Sequence, residues 1–509
     1  RYRSYDPCSA CGGKRLNETA LSYRVNGIDL AAWHALELRE ALQRLNSLTT
    51  SNPQGEIIRR ELSSRIGFLC DVGLGYLTLD RQARTLSGGE GQRVSLTSAL
   101  GASLTGALLV LDEPTVGLHA TDIPPLVSSM RKLAEQGNCV MVVEHDPSVI
   151  RASDRVLELG PEAGALGGRL LFSGSPQDLA KRSDLATGRA LQASALHVAG
   201  ARKFAKEWLV LRGARANNLR NIDVRIPLGV LCVLAGPSGS GKSTIAEDIL
   251  YRAIARKLGE TDLEPAGDHD RIEGVEQILG VVLVDQAPLG RTSRGNPATY
   301  TKAWDRIREL LASEASAEAA GFTASHFSFN VDAGRCEACS GEGSETVEMQ
   351  FLADVSLSCP VCKGQRFKSE VLQIRHRDKS AADLLAMTVD EVLAWAPHDK
   401  RLQKTLLPLT RLGLGYLPLG QPLSTLSGGE AQRLKLARAL TGQVAGQLFI
   451  LDEPSAGLHA SDAEHLIGAM KDLVTRNASV LVVEHDLAII KSADWVIDLR
   501  THAQIAGGE

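Results

Sequence analysis

Short, almost purely apolar runs alternate with longer amphipathic stretches along the chain. Three of these runs are Val230–Ala235, Leu448–Leu451 and Ser479–Val483. Runs of this length and composition are typical of parallel strands that are covered by helices on both faces. The pattern therefore predicts an α/β fold built on a parallel sheet.

The chain repeats itself with a period of 340 residues. Four motifs recur at this same offset: GLGYL at 73 and 413, LSGGE at 86 and 426, LDEP at 111 and 451, and VEHD at 143 and 483. A period this long indicates two duplicated halves rather than a solenoid. We assign residues 1–200 to the C-terminal part of a first half and residues 201–509 to a second half.

Composition narrows the class of protein. The 509 residues are 44% hydrophobic and 23% charged, which is globular composition, and 56 basic against 60 acidic residues give a net charge of −4. This balance excludes a histone-like basic protein, so any nucleic-acid surface must be a local patch. No run of 18 or more apolar residues occurs, and the N-terminus does not resemble a signal peptide. We expect a cytoplasmic protein without a membrane span.

A glycine-rich loop follows the first of the apolar runs. Gly236–Thr244 reads GPSGSGKST and fits the phosphate-loop pattern GxxxxGK[ST]. Its glycines let backbone N–H groups surround phosphates, Lys242 is expected to neutralise the β- and γ-phosphate oxygens, and Ser243 to ligate Mg²⁺. The predicted ATP-binding residues are Gly236, Ser238, Gly239, Gly241, Lys242, Ser243 and Thr244. The equivalent loop of the first half would precede residue 1, so we expect that half to be truncated in this chain.

Carboxylates and a histidine follow two other predicted strands. Asp452 and Glu453 end the run that begins at Leu448, and His485 comes just after Ser479–Val483. Because parallel strands deliver their carboxyl ends to one edge of a sheet, these residues are expected near the nucleotide. Asp452 is predicted to hold Mg²⁺ through water, Glu453 to orient and deprotonate the attacking water, and His485 to contact the γ-phosphate.

Six of the nine cysteines fall in CxxC pairs. Cys336-x2-Cys339-x19-Cys359-x2-Cys362 has the spacing of a four-cysteine structural Zn²⁺ site. We place this zinc module at residues 326–370. Cys8 and Cys11 form a further CxxC pair and are interpreted as half of a second zinc site.

A basic stretch follows the zinc module, and aromatic residues flank the module. Basic side chains with nearby aromatics suit a nucleic-acid backbone and unstacked bases, so we predict DNA contacts here. The alternative is a solvated charged segment beside a small core. The basic candidates are Lys363, Arg366, Lys368, Arg375 and Arg377, and the aromatic residues are Phe327, Phe329 and Phe367.

The recurring LSGGE motif, followed in both copies by Gln-Arg, resembles the signature of ABC ATPases. The resemblance implies that a signature contacts the γ-phosphate of a nucleotide held by the opposite half. Ser87, Gly88 and Gly89 would then close the site at Lys242. The signature at Ser427–Gly429, which comprises Ser427, Gly428 and Gly429, would serve the site whose phosphate loop is missing here.

A zinc module between phosphate loop and signature is not a transporter pattern. The chain resembles the UvrA family of DNA-damage-recognition ATPases over essentially its whole length. The motifs that carry the resemblance are Gly213–Arg215 with Asn217–Leu219, Asp285–Pro288, Gly290–Thr292, Asn296–Tyr300, Phe327–Asn330, and Gly-Leu-His at 117–119 and 457–459.

The resemblance implies tandem ABC-type ATPase halves with an inserted zinc module. It implies ATP hydrolysis, with Gln286 as the residue that senses Mg²⁺ and the γ-phosphate. It also implies a role in nucleotide excision repair and the SOS response, as the excinuclease subunit that binds damaged double-stranded DNA as a homodimer and loads UvrB without being the nuclease. We expect the segment that docks UvrB in this family to be absent from this chain.

Two other interpretations stay open. One is a UvrA-like ATPase for drug or self-resistance. The other is a DNA-binding fragment that no longer hydrolyses ATP. A transporter ATPase is the weakest alternative.

Overall fold

In a computed structural model, the structure describes residues 8–499 except 51, 84, 85, 87, 102–104, 117, 119–121, 162–166, 193–203, 238, 286, 288, 290–293, 348–354, 457 and 459. The chain divides into two compact units. The first comprises Arg1–Asp154 with Pro237–Gly239, and the second comprises Arg155–Gly236 with Ser240–Glu509. Among the described residues, no helix combines the length and the apolar character that spanning a membrane requires.

The first unit is mostly helical. Its elements are α1 Glu18–Ser22, β1 Arg24–Val25, β2 Ile28–Asp29, α2 Leu30–Ala35, α3 Leu38–Ser47, α4 Pro53–Asp71, α5 Gly88–Gly101, β3 Leu108–Asp112, α6 Ile123–Glu135, β4 Cys139–Val143 and α7 Pro147–Ala152.

Strands β3 and β4 of the first unit pair in parallel. Every second residue of each strand, such as Leu109 in β3 and Val142 in β4, packs against a core that includes Leu126 and Leu133 of α6. α6 contributes buried residues at helical spacing, which is the amphipathic pattern of a helix that covers a sheet.

The second unit contains the remaining elements. These are β5 Val156–Gly160, β6 Arg169–Gly174, α8 Pro176–Leu179, α9 Ala186–Gln192, β7 Trp208–Ala214, β8 Ile222–Pro227, β9 Leu231–Ala235, α10 Arg252–Lys257, β10 Arg271–Glu273, β11 Gly280–Val284, α11 Pro297–Tyr300, α12 Ala303–Ala312, α13 Ala315–Ala319, β12 Ser344–Val347, β13 Val355–Ser358, α14 Ser369–Leu372, α15 Ala381–Ala386, α16 Val389–Trp395, α17 Lys400–Arg411, α18 Gly428–Leu440, β14 Gln447–Asp452, α19 Ala460–Thr475, β15 Ser479–Val483, α20 Leu487–Ser492 and β16 Trp495–Asp498. A π-helical segment, Thr244–Tyr251, runs directly into α10.

A five-stranded parallel sheet in the order β11-β14-β15-β9-β16 organises the second unit. Alternate residues of β9 point to opposite faces, so Val233 joins the core beneath α18 and α19 while Leu234 joins the core beneath Thr244–Tyr251. The three strands predicted from apolar runs are all present, and β15 has the predicted bounds. The predicted α/β fold with a parallel sheet is thus confirmed.

Smaller antiparallel sheets flank this core. β10, β7 and β8 form a three-stranded sheet, and β5 pairs with β6 as a hairpin. Strands β12 and β13 pair antiparallel within the segment that carries the four clustered cysteines. The assignment of residues 1–200 and 201–509 to two duplicated halves stays a prediction, because the compact units divide at Asp154.

Candidate functional site

The loop after β9 curls around a buried ammonium group. Lys242 is 8% exposed, and its Nζ donates a 2.9 Å hydrogen bond to the carbonyl of Gly236. Gly236 has φ +143°, and a Cβ there would lie 2.3 Å from the Leu499 carbonyl oxygen. Only glycine fits that position. The helical turns begin at Lys242, so the loop leads into a helix N-terminus, which favours anions.

Ser243 and Asp452 meet although 209 residues separate them in sequence. The Ser243 hydroxyl donates to Asp452 Oδ1 at 3.2 Å. A hydroxyl and a carboxylate oxygen are ligands that suit Mg²⁺. Burial raises the pKa of Asp452 to about 7, with smaller contributions from Glu453 and Glu247, while Ser243 and Lys242 oppose the shift. A bound divalent cation would stabilise the charged form of this carboxylate.

Glu453 and His485 lie at the same edge of the sheet. Glu453 has φ +46°, and its N–H donates to the Val483 carbonyl at 2.9 Å, which continues the pairing of β14 with β15. His485 Nδ1 lies 4.0 Å from Glu453 Oε1 and 3.8 Å from Glu484 Oε2. The structure thus brings together five predicted site residues, namely Lys242, Ser243, Asp452, Glu453 and His485.

Sequence reasoning assigned no role to Glu484, which organises this edge. Its carboxylate is fully buried and accepts the N–H groups of Ser455 at 2.9 Å, His485 at 2.6 Å and Asp486 at 2.9 Å. The Ser455 hydroxyl donates to it as well. The recurrence of VEHD at 143 and 483 was the available signal, because it contains this glutamate as well as the histidine.

The first unit repeats this arrangement. Glu144 accepts the N–H of Thr115 at 2.9 Å and that of His145 at 2.8 Å. Glu113 has φ +45°, as Glu453 does, and burial raises the pKa of Glu113. The duplicated motifs therefore fold into duplicated geometry within each unit.

Helix α18 fixes the ends of two strands of the sheet. Gln432 Nε2 donates to the carbonyls of Val284 at 3.1 Å and Asp452 at 2.6 Å. Lys435 Nζ donates to the carbonyls of Asp285 at 3.0 Å and Ala287 at 2.6 Å. Both residues were missed by sequence reasoning, since a polar residue on a helix usually occupies an ordinary surface position.

Of the predicted site residues, Gln286, Ser238 and Ser87 lie outside the described residues.

The second signature forms a helix start. α18 begins at Gly428, and Ser427 is its N-cap: Ser427 Oγ accepts the Glu430 N–H at 3.2 Å, and Glu430 Oε2 accepts the Ser427 N–H at 2.8 Å. Gly429 lies in the first turn, where a Cβ would come within 2.8 Å of the Ala456 carbonyl oxygen. In the first unit, α5 likewise begins at Gly88 and includes Gly89. Exposed N–H groups at such a start can bind an anion.

The four cysteines predicted to bind zinc come together as a buried cluster. Their ligand atoms all lie within 4.8 Å of one another, and the Sγ atoms of Cys339 and Cys362 are 3.6 Å apart. Four sulfurs arranged around Zn²⁺ at about 2.3 Å would be about 3.8 Å apart, so the cluster fits the ion. The Gly343 N–H donates to Cys339 Sγ at 3.3 Å, as expected of a zinc knuckle. Cys336 and Cys359 complete the set.

Cys8 and Cys11 lie in a tight turn of the first unit. The Gly12 N–H donates to the Cys8 carbonyl at 2.7 Å, and Cys8 is exposed. Hydrogen bonds from the backbone of Cys11 and Ala10, and from the Cys11 thiol, lower the pKa of Cys8. Their assignment to half of a zinc site stays a prediction.

The side chains of the basic stretch differ in exposure. Lys363, Arg375 and Arg377 are exposed, although Arg375 pairs with Asp383 at 3.3 Å and Arg377 donates to the Trp395 carbonyl at 2.9 Å. Arg366 is 8% exposed and donates to the Gly420 carbonyl at 3.1 Å, and the Lys368 ammonium pairs with Glu337 at 2.7 Å. The DNA contacts stay a prediction, which the exposed members fit better than the buried Arg366.

The aromatic part of that prediction is wrong. Phe327, Phe329 and Phe367 are at most 2% exposed. Phe329 and Phe367 pack against Trp304, with ring centroids 5.8 and 6.3 Å from its ring. Buried rings are not available to stack on bases, so these residues are the small core of the alternative interpretation.

Comparison with known proteins gives consistent matches. No protein-family model matches the chain. UvrABC system protein A of Thermus thermophilus is 46% identical over 516 residues, which is all of this chain and 54% of that protein. The same protein of Clostridium acetobutylicum is 43% identical, again over all of this chain and 54% of the relative. The chain therefore spans about half the length of the curated relatives it matches.

A solved structure agrees with these relatives. UvrA2 from Deinococcus radiodurans superposes with a TM-score of 0.89 and 41% identity, covering 96% of this chain and 62% of that one.

Proposed function

We propose that the chain belongs to the UvrA family of ABC-type ATPases and that it hydrolyses ATP as part of a DNA-damage recognition protein in nucleotide excision repair. One observation carries the proposal. The Ser243 hydroxyl, from the phosphate loop, lies 3.2 Å from Asp452 Oδ1, from the end of β14. A hydroxyl and a carboxylate converging beside a buried lysine are what a nucleotide with its magnesium ion needs.

The residues at this edge divide the work of hydrolysis. Lys242 neutralises the β- and γ-phosphate oxygens, and Ser243 and Asp452 would hold Mg²⁺, which supplies charge neutralisation when bound. Glu453 accepts a proton from the attacking water. His485, whose Nδ1 is 4.0 Å from Glu453 Oε1, orients the γ-phosphate. Gln286 is assigned the sensing of Mg²⁺ and γ-phosphate on the family resemblance alone.

The cysteine cluster is proposed to hold a structural zinc ion. Four thiolates leave no open coordination position, so the ion has no catalytic role. The ion would fix the short hairpin β12–β13 and the exposed basic residues that follow Cys362. This arrangement supports DNA as the ligand of the module.

The partners follow from the same family. Damaged double-stranded DNA, UvrB and a second copy of the protein are proposed as partners, and they stay proposals because the chain spans about half of its relatives. Because DNA is the proposed ligand, the proposed site of action is the cytoplasm.

The test is ATP turnover by the complete protein. E453Q is expected to lower kcat by about 100-fold or more, since it removes the base but leaves the phosphate-binding groups in place. Binding of a fluorescent ATP analogue should be retained in E453Q and lost in K242A. E464Q, at an exposed glutamate of α19, is the control and should match the parent. Hydrolysis by E453Q at the parental rate would exclude the assignment.

A second measurement addresses DNA. Affinity for a duplex with one bulky adduct, compared with the intact duplex, is expected to depend on whether ATP or ADP is present. Equal affinities under all four conditions would contradict damage recognition while leaving the ATPase assignment in place.

A further inference from the structure

The recurring GLGYL motif has no role in the ATP chemistry described above. In the second unit, the Tyr416 hydroxyl donates a 2.5 Å hydrogen bond to Glu430 Oε1. Glu430 is the last residue of the LSGGE signature, and its other oxygen accepts the Ser427 N–H at 2.8 Å. One carboxylate thus connects a tyrosine of the first motif to the N-cap serine of the second.

The first unit contains the same connection. The Tyr76 hydroxyl donates to the Glu90 carboxylate. The buried guanidinium of Arg93 lies one turn further along α5 and interacts with both groups. Two occurrences in two separately folded units indicate that the pair is a feature of the motif rather than an accident of one surface.

The backbone on both sides of Tyr416 is hydrogen-bonded to a neighbouring helix. In the second unit, the Val389 N–H donates to the Leu417 carbonyl and the Asp390 N–H to the Gly415 carbonyl, both at 3.0 Å. A Cβ on Gly415 would lie 2.1 Å from the Asp390 carboxylate, so any other residue would displace that side chain. The segment that bears Tyr416 is therefore fixed to the first turn of α16.

The equivalent hydrogen bonds are present in the first unit. The Leu38 N–H donates to the Leu77 carbonyl at 2.8 Å and the Arg39 N–H to the Gly75 carbonyl at 3.0 Å. Tyr76 is thus fixed to the first turn of α3 as Tyr416 is to α16.

The capping hydrogen bonds leave the hydroxyl hydrogen of Ser427 available as a donor. Ser427 Oγ accepts the Glu430 N–H at 3.2 Å, so a lone pair is engaged while the hydroxyl hydrogen can donate to a phosphate at the helix start. The orientation of this hydroxyl depends on Glu430, which forms the reciprocal half of the capping box. A hydrogen bond from Tyr416 restricts the Glu430 side chain to the rotamer that closes the box.

We propose that Tyr416 and Tyr76 are positioning residues of the two ATP signatures. Each tyrosine holds the signature glutamate, and in the second unit Glu430 in turn holds the N-cap Ser427 and the first N–H groups of α18 toward a nucleotide phosphate. The tyrosines act through the glutamate and do not touch the nucleotide. This inference rests on the proposed ATPase function.

Hydroxyl removal in the complete protein tests the inference. Y416F and Y76F are each expected to lower kcat for ATP about tenfold, a size typical of residues that support a direct ligand, while the melting temperature stays close to that of the parent. Combining Y416F with E430Q should add little to either single loss, because both changes interrupt the same connection. Y23F removes a hydroxyl from a tyrosine that is 76% exposed and should leave kcat unchanged.

Amide hydrogen exchange tests the same geometry without ATP turnover. Y416F should raise exchange in peptides covering residues 427–430, where the Ser427 N–H is bonded to Glu430, and Y23F should not. Unchanged exchange and unchanged kcat in Y416F would overturn the proposal. So would a loss of kcat only as large as the loss of folded protein. If the parent does not hydrolyse ATP, the proposed function fails, whereas the exchange result still decides the positioning role.

Discussion

The backbone N–H of Ser455 donates a 2.9 Å hydrogen bond to the buried carboxylate of Glu484. This bond joins the turn after β14, which follows Asp452 and begins with Glu453, to the turn after β15, which carries His485. The geometry of the proposed ATP site therefore depends on a glutamate that is placed to bind backbone rather than substrate.

Replacing Glu484 by alanine is expected to destabilise the second unit by about 3 kcal/mol, because several buried donors lose their charged acceptor. Urea unfolding followed by tryptophan fluorescence measures the change. E464A, at an exposed position of α19, is the matched control and should unfold like the parent. Equal unfolding midpoints for E484A and E464A would contradict the structural role.

The strands and the convergence of the residues at their ends were predictable because both depend on local pattern. Apolar runs such as Ser479–Val483 can form little other than buried parallel strands, and residues that follow such strands converge at one edge of the sheet. Glu484 could not be assigned in the same way. Its role depends on hydrogen bonds to Ser455, 29 residues away, and no local spacing encodes that distance.

The aromatic residues around the zinc module show a second limit. Phe327, Phe329 and Phe367 flank the zinc module, and Phe367 stands between Arg366 and Lys368 in sequence. This composition suits both a stacking surface and a small core. Packing against Trp304, which lies more than 20 residues before the nearest of them, decides in favour of the core. Likewise, Arg366 belongs to a charged run in sequence, yet it is buried against the Gly420 carbonyl.

Asp452 is expected to make stability depend on pH in the absence of metal and nucleotide. Its pKa is raised to about 7, mainly by burial, from the ordinary value of 3.8. Between these two values the folded state binds more protons than the unfolded state, so stability falls as pH rises from about 4 to 7. Melting temperatures of the parent in EDTA should therefore fall more steeply over this range than those of D452N. If the melting temperatures of the two proteins fell equally with pH, the pKa of Asp452 would not be raised.

The cysteine cluster should account for one zinc ion per chain. C359S removes one of four thiolates at a buried position, so it should lose that ion and expose the hairpin β12–β13 to proteolysis. C139S changes an exposed cysteine of the first unit and serves as the control. Metal content by mass spectrometry of the purified variants gives the count. Retention of the full zinc content in C359S would exclude the proposed site.

The exposed basic residues after the zinc module should contribute electrostatic contacts to DNA. If Lys363 contacts a phosphate, K363A should make the plot of log binding constant against log salt concentration less steep by about 0.9 for duplex DNA, because one fewer counterion is released. R375A should have a smaller effect, since its exposed guanidinium already pairs with the Asp383 carboxylate at 3.3 Å. K400A removes an exposed lysine at the start of α17 and is the control.

R366A is expected to differ from K363A and R375A, because the buried Arg366 guanidinium donates to the Gly420 carbonyl and supports the fold. Its loss should lower the melting temperature rather than change the salt slope. Identical salt slopes for K363A, R375A and K400A would show that Lys363 and Arg375 do not contact the DNA phosphates.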